Sequence, residues 1–309
     1  MNDDAGAQVW PRPGSARFFR RQEDKYEIGL AQAMFLREEI GRRLPLFSYQ
    51  AGHSHTFITT VYFDTRTHDF FHKAERNYDE NVKIRVKEYF YGLDQAASHA
   101  APRRNGKAPH YQLSAHCYVE IKEKVRGTVI KRRFCFPKKH LARLFRGEDV
   151  WPLLLAITPP DELGPLHEIY SEFKRFISAY PVEASSVVNY RRTVYQEVED
   201  HLRITFDDQI GVYPPPTGLY AVHEALTPEV LGKPLRATDA VILEIKCAGE
   251  YPAWLRKALQ DHTSKRLSKF TTSVRLLLDD TGHLPPVAGR RTGKAGTPGD
   301  TELSSEAFY

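Results

Sequence analysis

The sequence lacks most of the features that announce a chemistry outright. Cysteine is scarce: Cys117, Cys135 and Cys247 stand far apart, each among apolar strand-like neighbours. That spacing excludes zinc and iron–sulfur frameworks and suits buried free thiols. His53 and His55 form a close histidine pair, but they sit in a loop with no third ligand at a useful distance. Long hydrophobic runs are absent too. Trp151–Ile157 and Ala240–Ile245 are the longest, far below the roughly 20 residues of a bilayer span. The opening MNDDAGAQVWPRPGSARFF has no apolar core of a secretory signal. A cytoplasmic chain without a membrane span of its own is the expectation. There is no P-loop and no glycine-rich strand-to-helix motif, and no internal repeat.

What is present is an ordinary globular composition, 41% hydrophobic and 27% charged over 309 residues, enough for a sizeable core. Forty-four basic against 39 acidic residues leave a net charge of +5, too mild to define a partner by itself. Residues 1–16 read as a loose arm, 17–278 as one domain and 279–309 as a flexible tail. Within the domain, Arg17–Ile28 reads as a strand and Leu30–Leu44 as a helix ending before Pro45. Thr56–Phe63 is a strand, and a short helix covers Asp69–Glu75. Val82–Tyr91 is a strand, followed by a polar loop over Gln95–Pro109. Tyr118–Val125 and Thr128–Phe136 form a hairpin around Arg126-Gly127. Helices over Pro137–Phe145 and Glu162–Ile177 follow; Gly164 and Pro165 could delay the second. Ser185–Glu197, Leu202–Phe206 and Val241–Cys247 are strands and Ala253–Leu259 is a helix, while Thr271–Leu278 suits either state. About eight short strands with a few helices suggest an antiparallel barrel or a strongly curved sheet, whose closure would remove exposed edges and leave an interior for side chains to line.

Strand parity carries the functional reading, because residues two apart share a face. In NVKIRVKEY, Lys83, Arg85 and Lys87 oppose Ile84 and Val86. In YVEIKEKVR, Glu120, Lys122 and Lys124 oppose Val119, Ile121 and Val125. The pattern returns in Glu23, Lys25 and Glu27, in Arg203, Thr205 and Asp207, and in Glu244 and Lys246. Lys131 and Arg133 share one face of the return strand. Arg191 opposes Tyr190 and Arg192, so that strand is basic on both sides. Any single strand of this kind is most simply half-solvated. Several together, curved around one cavity, bring cations close enough to demand an anion, and phosphate oxygens satisfy them by charge-assisted hydrogen bonds. The embedded acids add a divalent metal, Mn²⁺ or Mg²⁺, which carboxylates hold while it bridges phosphate oxygens. Glu244 is the first candidate ligand and Glu120 the second, the plain alternative being pairing of each with a neighbouring lysine. Lys269 is either a surface lysine or a phosphate clamp. Specific nucleic-acid recognition is disfavoured, since aromatics are not regularly interleaved on the cationic faces.

The ordered blocks EDKYEI, TTVYFDT, VKIRVKEY, YVEIKEKVRGTVIKRR, VNYRRTVYQ, LRITFDD, ILEIKC and LSKFTTSV resemble the VTC domain, the polyphosphate polymerase module of the triphosphate tunnel metalloenzyme (CYTH-like) superfamily. The likeness runs from about Arg17 to Leu278. It implies an α+β fold in which an eight-stranded antiparallel β-barrel, the triphosphate tunnel, is surrounded by peripheral helices. It also implies a metal-dependent transfer of the terminal phosphoryl group of ATP to a growing polyphosphate chain. Triphosphate hydrolysis, or binding without turnover, are the rival activities. The residues implied for catalysis are Lys25, Arg85, Lys122, Arg133, Arg191, Arg203, Glu244 and Lys269. Lys83, Lys87, Lys124, Lys131 and Lys246 are further substrate-binding cations, and Glu244 and Glu120 are metal ligands. Lys25 lies in the middle of Glu23-x-Lys25-x-Glu27, which is closer to the VTC branch than to the strict CYTH signature. Lys83 stands where the polymerase branch carries arginine, keeping the charge but losing the planar fork. Eukaryotic relatives add membrane-spanning and regulatory regions not found here, so coupling to export would need a membrane-protein partner.

Overall fold

The computed structural model describes residues 21–92, 111–126, 128–199 and 201–280. The expected arm, the loop over Gln95–Pro109 and the tail from residue 281 on lie outside the described residues. Strand β1 (Arg21–Ile28) leads into helix α1 (Leu30–Gly41), followed by β2 (Thr56–Asp64), α2 (Asp69–Arg76) and β3 (Asn81–Gly92). After the short β4 (Tyr111–Gln112) come the hairpin β5 (His116–Val125) and β6 (Thr128–Pro137) and the helices α3 (Leu141–Phe145), α4 (Trp151–Leu155) and α5 (Leu163–Ala179). Then follow β7 (Glu183–Gln196), β8 (Leu202–Tyr213), α6 (Pro228–Leu231), β9 (Arg236–Thr238), β10 (Val241–Ala248), α7 (Ala253–Ala258) and α8 (Lys269–Asp280). Pro165 does not delay α5, because a proline in the first turn removes an N–H that has no partner within the helix. The ambiguous segment after Ser268 is helical, with Phe270, Val274 and Leu278 on its buried side. Among the described residues no helix is long and apolar enough to cross a membrane.

All strands join one antiparallel sheet in the order β1-β10-β8-β7-β2-β3-β5-β6, with β4 added beside β3 and β9 beside β8. The expected barrel is corrected here: β1 and β6 are the two ends of the path and do not pair, so the sheet is curved but open. The chain meets each end differently. On β1 the carbonyl of Lys25 accepts the N–H of Lys265 at 2.7 Å, so the segment before α8 takes that backbone position instead of another strand. At the other end, the start of β6 stands in solvent, with Val129 46% and Ile130 39% exposed. Closure would have covered them.

The apolar parity faces outward, beneath the helices. Tyr26, Ile28, Ile204, Phe206, Leu243 and Ile245 pack with Ala33, Leu36 and Ile40 of α1 and Leu255 of α7. Val61, Phe63, Ile84, Val119, Ile121 and Phe134 pack with Phe70 and Phe71 of α2 and Phe173 of α5. The polar parity is left for the concave side. Two bulges tune it. Between Arg191↔Asp208 and Asn189↔Gly211, β8 carries an extra residue, with Gln209 at φ 52°. Below the bulge Arg203, Thr205 and Asp207 share a face; above it the register passes to Ile210 and Val212. The expected strand over Leu202–Phe206 therefore continues to Tyr213, past the point where its alternation breaks. The second bulge puts an extra residue, Ser185, in β7 opposite Tyr62 and Phe63.

Candidate functional site

The concave face encloses a cavity of about 510 Å³, within the range of ligand sites. Lys83, Arg85 and Lys87 of β3 reach it, with Lys122 of β5, Lys131 and Arg133 of β6, Arg192 of β7, Arg203 of β8, Lys246 of β10, Lys25 of β1 and Lys269 at the start of α8. Register explains the convergence: Lys83 lies opposite Lys122, and Lys122 opposite Lys131. Like charges placed directly across a sheet repel. Burial, then Lys25, Lys122 and Arg85, hold the Lys83 ammonium well below its ordinary range. Burial and Arg85 do the same to Lys87. Lys122 is brought down to about 8, by burial against the pull of Glu23 and with the help of Arg85, Lys25 and Lys246. An anion in the basin would relieve all three.

Four carboxylates meet these cations in two different ways. Glu120 and Asp207 are 0% exposed and serve as counter-charges beneath the lining. Glu120 accepts Arg85 Nε at 2.7 Å and pairs with Lys131 Nζ at 2.9 Å. Burial pushes its carboxyl up, but Arg85, Lys87 and Lys131 outweigh that and hold it far below the usual carboxylate range. Asp207 accepts Arg192 Nε and Nη2 at 2.6 and 2.7 Å and Lys269 Nζ at 2.7 Å. Against burial, those two cations bring it down to about 2.

Glu23 and Glu244 instead line the cavity itself. Lys246 Nζ bridges them, 2.5 Å from Glu244 Oε1 and 3.8 Å from Glu23 Oε2. Lys25 Nζ is 3.2 Å from Glu23 Oε1. Burial raises the Glu244 carboxyl, yet Lys246, Lys25 and Arg192 hold it well below the ordinary value. Both groups are held as carboxylates. Among the described residues no group of three or more His, Cys, Asp or Glu side chains is arranged to hold a metal ion. A hard divalent cation can be bound by one or two carboxylates together with phosphate oxygens, and Glu23 with Glu244 fits that limited role. Glu120 does not, because both its oxygens already face cations.

Two expected cations lie elsewhere. Arg191 turns to the outer face and binds Asp208 at 2.8 and 3.1 Å; its neighbour Arg192 is the one that lines the cavity. Lys124 sits beyond the rim, donating to Asp79 Oδ1 at 2.6 Å and covering the Tyr78 ring at 3.9 Å. Residues absent from the expectation complete the wall: Tyr49, Tyr62, Tyr89, Tyr91, Tyr118 and Tyr190, with Ser268. Tyr89 and Tyr91 continue the parity of Lys83, Arg85 and Lys87, so aromatics do follow cations on one face. Arg133 lies 4.9 Å from the Tyr118 ring centroid, and Arg203 donates to the Tyr49 hydroxyl. Ser268 accepts Lys83 Nζ at 2.9 Å.

The family profile described as the VTC domain matches residues 20–278. No curated protein matches the chain. Among solved structures, a protein of Pyrococcus horikoshii is 14% identical, covering 84% of this chain and 99% of that one at a TM-score of 0.35. A nominal adenylyl cyclase from Hippeastrum, described as having a dominant triphosphatase activity, is 13% identical over 86% of this chain and 98% of that one at a TM-score of 0.41. Similarity at that level assigns neither substrate nor residue role.

Proposed function

The chain belongs to the VTC domain family, of the CYTH-like superfamily that includes enzymes acting on triphosphates and nucleotides, and from that premise we propose that its basin is a triphosphatase site. It takes the triphosphate group of inorganic tripolyphosphate or of a nucleotide and delivers the terminal phosphoryl group to water. The observation that carries this reading is the pair of ionised carboxylates, Glu23 and Glu244, in the wall of a cavity whose other charged lining groups are cations. Beside a bare polyanion those acids would only repel. Glu244 and Glu23 would hold Mn²⁺ or Mg²⁺, which would supply positive charge to phosphate oxygens when bound.

The chain's own groups do the remaining work by position and charge, which is what phosphoryl transfer needs. Lys25, Lys83 and Lys122 surround the end nearest the acids. Arg85, Arg192 and Lys269 bind the anion with Lys87, Lys131, Arg133 and Arg203, while Lys246 bridges the two acids. Directed donors of this kind stabilise charge that grows on the phosphoryl oxygens in the transition state. The acids also bear on the acceptor. Glu23 is 30% exposed and Lys246 37%; an anionic acceptor approaching past them would meet two carboxylates, whereas water is not repelled.

Growth of a polyphosphate chain with ATP as donor is the second reading. It is favoured by the family and by lining cations that outnumber the charges of a single triphosphate. Product length separates the readings. Tripolyphosphate or ATP with Mn²⁺ or Mg²⁺ should yield orthophosphate and the shortened remainder, and Glu244→Gln should cut turnover at least about tenfold with the fold intact. Chains longer than the input would establish elongation instead. Tight binding without turnover under either metal would reduce the site to a binder.

A further inference from the structure

The dipeptide Asp207-Asp208 sits just before the β8 bulge and aims its two carboxylates at opposite faces of the sheet. Asp208 points outward to Arg191 and, at 2.5 Å, to Arg37 of α1. Asp207 points inward, fully buried, and binds Arg192 of β7 and Lys269 of α8. It is thus the point at which two cations from distant parts of the chain are tied together under the cavity. We propose that Asp207 is a positioning residue: it fixes the directions of Arg192 and Lys269 so that their remaining N–H groups converge on one bound phosphate group. The inference rests on the reading of the basin as a triphosphate site.

Three features make positioning the right word. The fork of Asp207 engages Nε and Nη2 of Arg192, which leaves the Nη1 edge for a ligand and locks the plane of the guanidinium. Lys269 opens α8, where the helix dipole disfavours a cation; Asp207 offsets that and draws the ammonium inward. Both cations also lie over one ring, Arg192 at 5.4 Å and Lys269 at 4.8 Å from the Tyr190 centroid. Their heads are therefore confined from two sides.

Charge alone predicts the opposite behaviour. Removing a carboxylate from beside a bound polyanion should tighten binding, since unit charges at about 4 Å and an effective dielectric of about 20 interact by several RT. The decisive experiment titrates inorganic tripolyphosphate into the full-length protein by calorimetry, comparing wild type with Asp207→Asn, Asp207→Glu and Asp208→Asn. Positioning predicts that both changes at 207 weaken binding at least about tenfold, although one removes the charge and the other keeps it. Asp208→Asn should lower the melting temperature and leave affinity within about twofold. Asp207→Asn binding as tightly as wild type, or more tightly, overturns the positioning role and leaves the proposed function standing. Should Asp207→Asn fail to fold, Asp207→Glu decides: wild-type affinity there overturns the proposal. Wild type that does not bind tripolyphosphate overturns the proposed function and the inference with it.

Discussion

Lys87 and Glu88 are neighbours on β3 and face opposite sides of the sheet, and their surroundings differ completely. Glu88, 1% exposed, closes a network on the convex side. It accepts Lys138 Nζ at 2.9 Å, the Tyr220 hydroxyl at 3.1 Å and the Leu226 N–H at 2.6 Å, which fastens the segment before α6 onto the sheet. Lys87, 7% exposed, makes no hydrogen bond or ion pair among the described residues. Both Lys87 and Lys138 are buried amines. One has direct partners inside the fold, and the other feels Glu120 only through space, against the repulsion of Arg85, Arg192 and Lys131. A buried charge is costly unless paired, so the convex network is structure and the concave lysine lacks a direct partner. On the proposed function, the two faces of one strand divide stability from binding.

The same substitution on the two faces should break that comparison most sharply. Lys138→Met leaves Glu88 a buried carboxylate without its counter-charge and should cost roughly 3–5 kcal/mol of stability, read as a lowered urea midpoint, with tripolyphosphate affinity unchanged in the folded protein. Lys87→Met removes a crowded ammonium and replaces it with a flexible apolar chain of similar length. Its urea midpoint should stay level or rise, while tripolyphosphate affinity falls. A Lys87→Met protein as destabilised as Lys138→Met would mean that Lys87 is structural and that the contrast is false.

Proton linkage gives the next largest effect. Lys122 titrates at about 8 in the empty basin, and a bound polyanion favours its ammonium, so the pKa of the complex lies higher. Affinity is therefore complete below about pH 8 and is lost as pH rises from there towards the bound value, by up to about tenfold per pH unit for each such lysine. Calorimetry in buffers of different ionisation heat should detect net proton uptake on binding near pH 8, and Lys122→Arg should reduce it. Affinity that stays level from about pH 7 to about pH 9 would contradict this coupling.

Which cations face the basin was legible along most of the unbroken alternation, Lys124 excepted: it keeps the parity of Lys122 but stands at the strand's end, beyond the rim. Lys83, Arg85 and Lys87 follow from period two alone, and the same rule extended by two steps reaches Tyr89 and Tyr91. It fails where the backbone inserts a residue. The bulge after Asp208 changes the parity of β8, and the strand beyond Phe206 lost its alternating signature with it. Alternation gives the face of Glu120, but its burial beneath Arg85 and Lys131 depends on three strands at once. The open edge was not legible either. On the free edge of β1 the carbonyl of Lys25 is taken by the N–H of Lys265, about 240 positions along the chain. Local pattern reports a strand's two faces; it carries nothing about the neighbour at its edge.

Arg191 and Arg192 form the smallest and cleanest test of the two-face division, since adjacent identical side chains differ only in direction. Arg191 is bound to Asp208, which keeps Arg37 as a second partner at 2.5 Å, so Arg191→Ala leaves no carboxylate stranded. Arg191 is itself 29% exposed, and the loss should be about 1 kcal/mol or less. Tripolyphosphate affinity and turnover should stay within about twofold of wild type, and Lys124→Ala, at the rim with Asp79, should behave alike. Arg192→Ala should lose both binding and turnover, because the cavity then lacks its guanidinium and Asp207 retains only Lys269. Equal losses at 191 and 192 would show that the outer face also contributes to the ligand site, and the separation of the faces would have to be redrawn at β7.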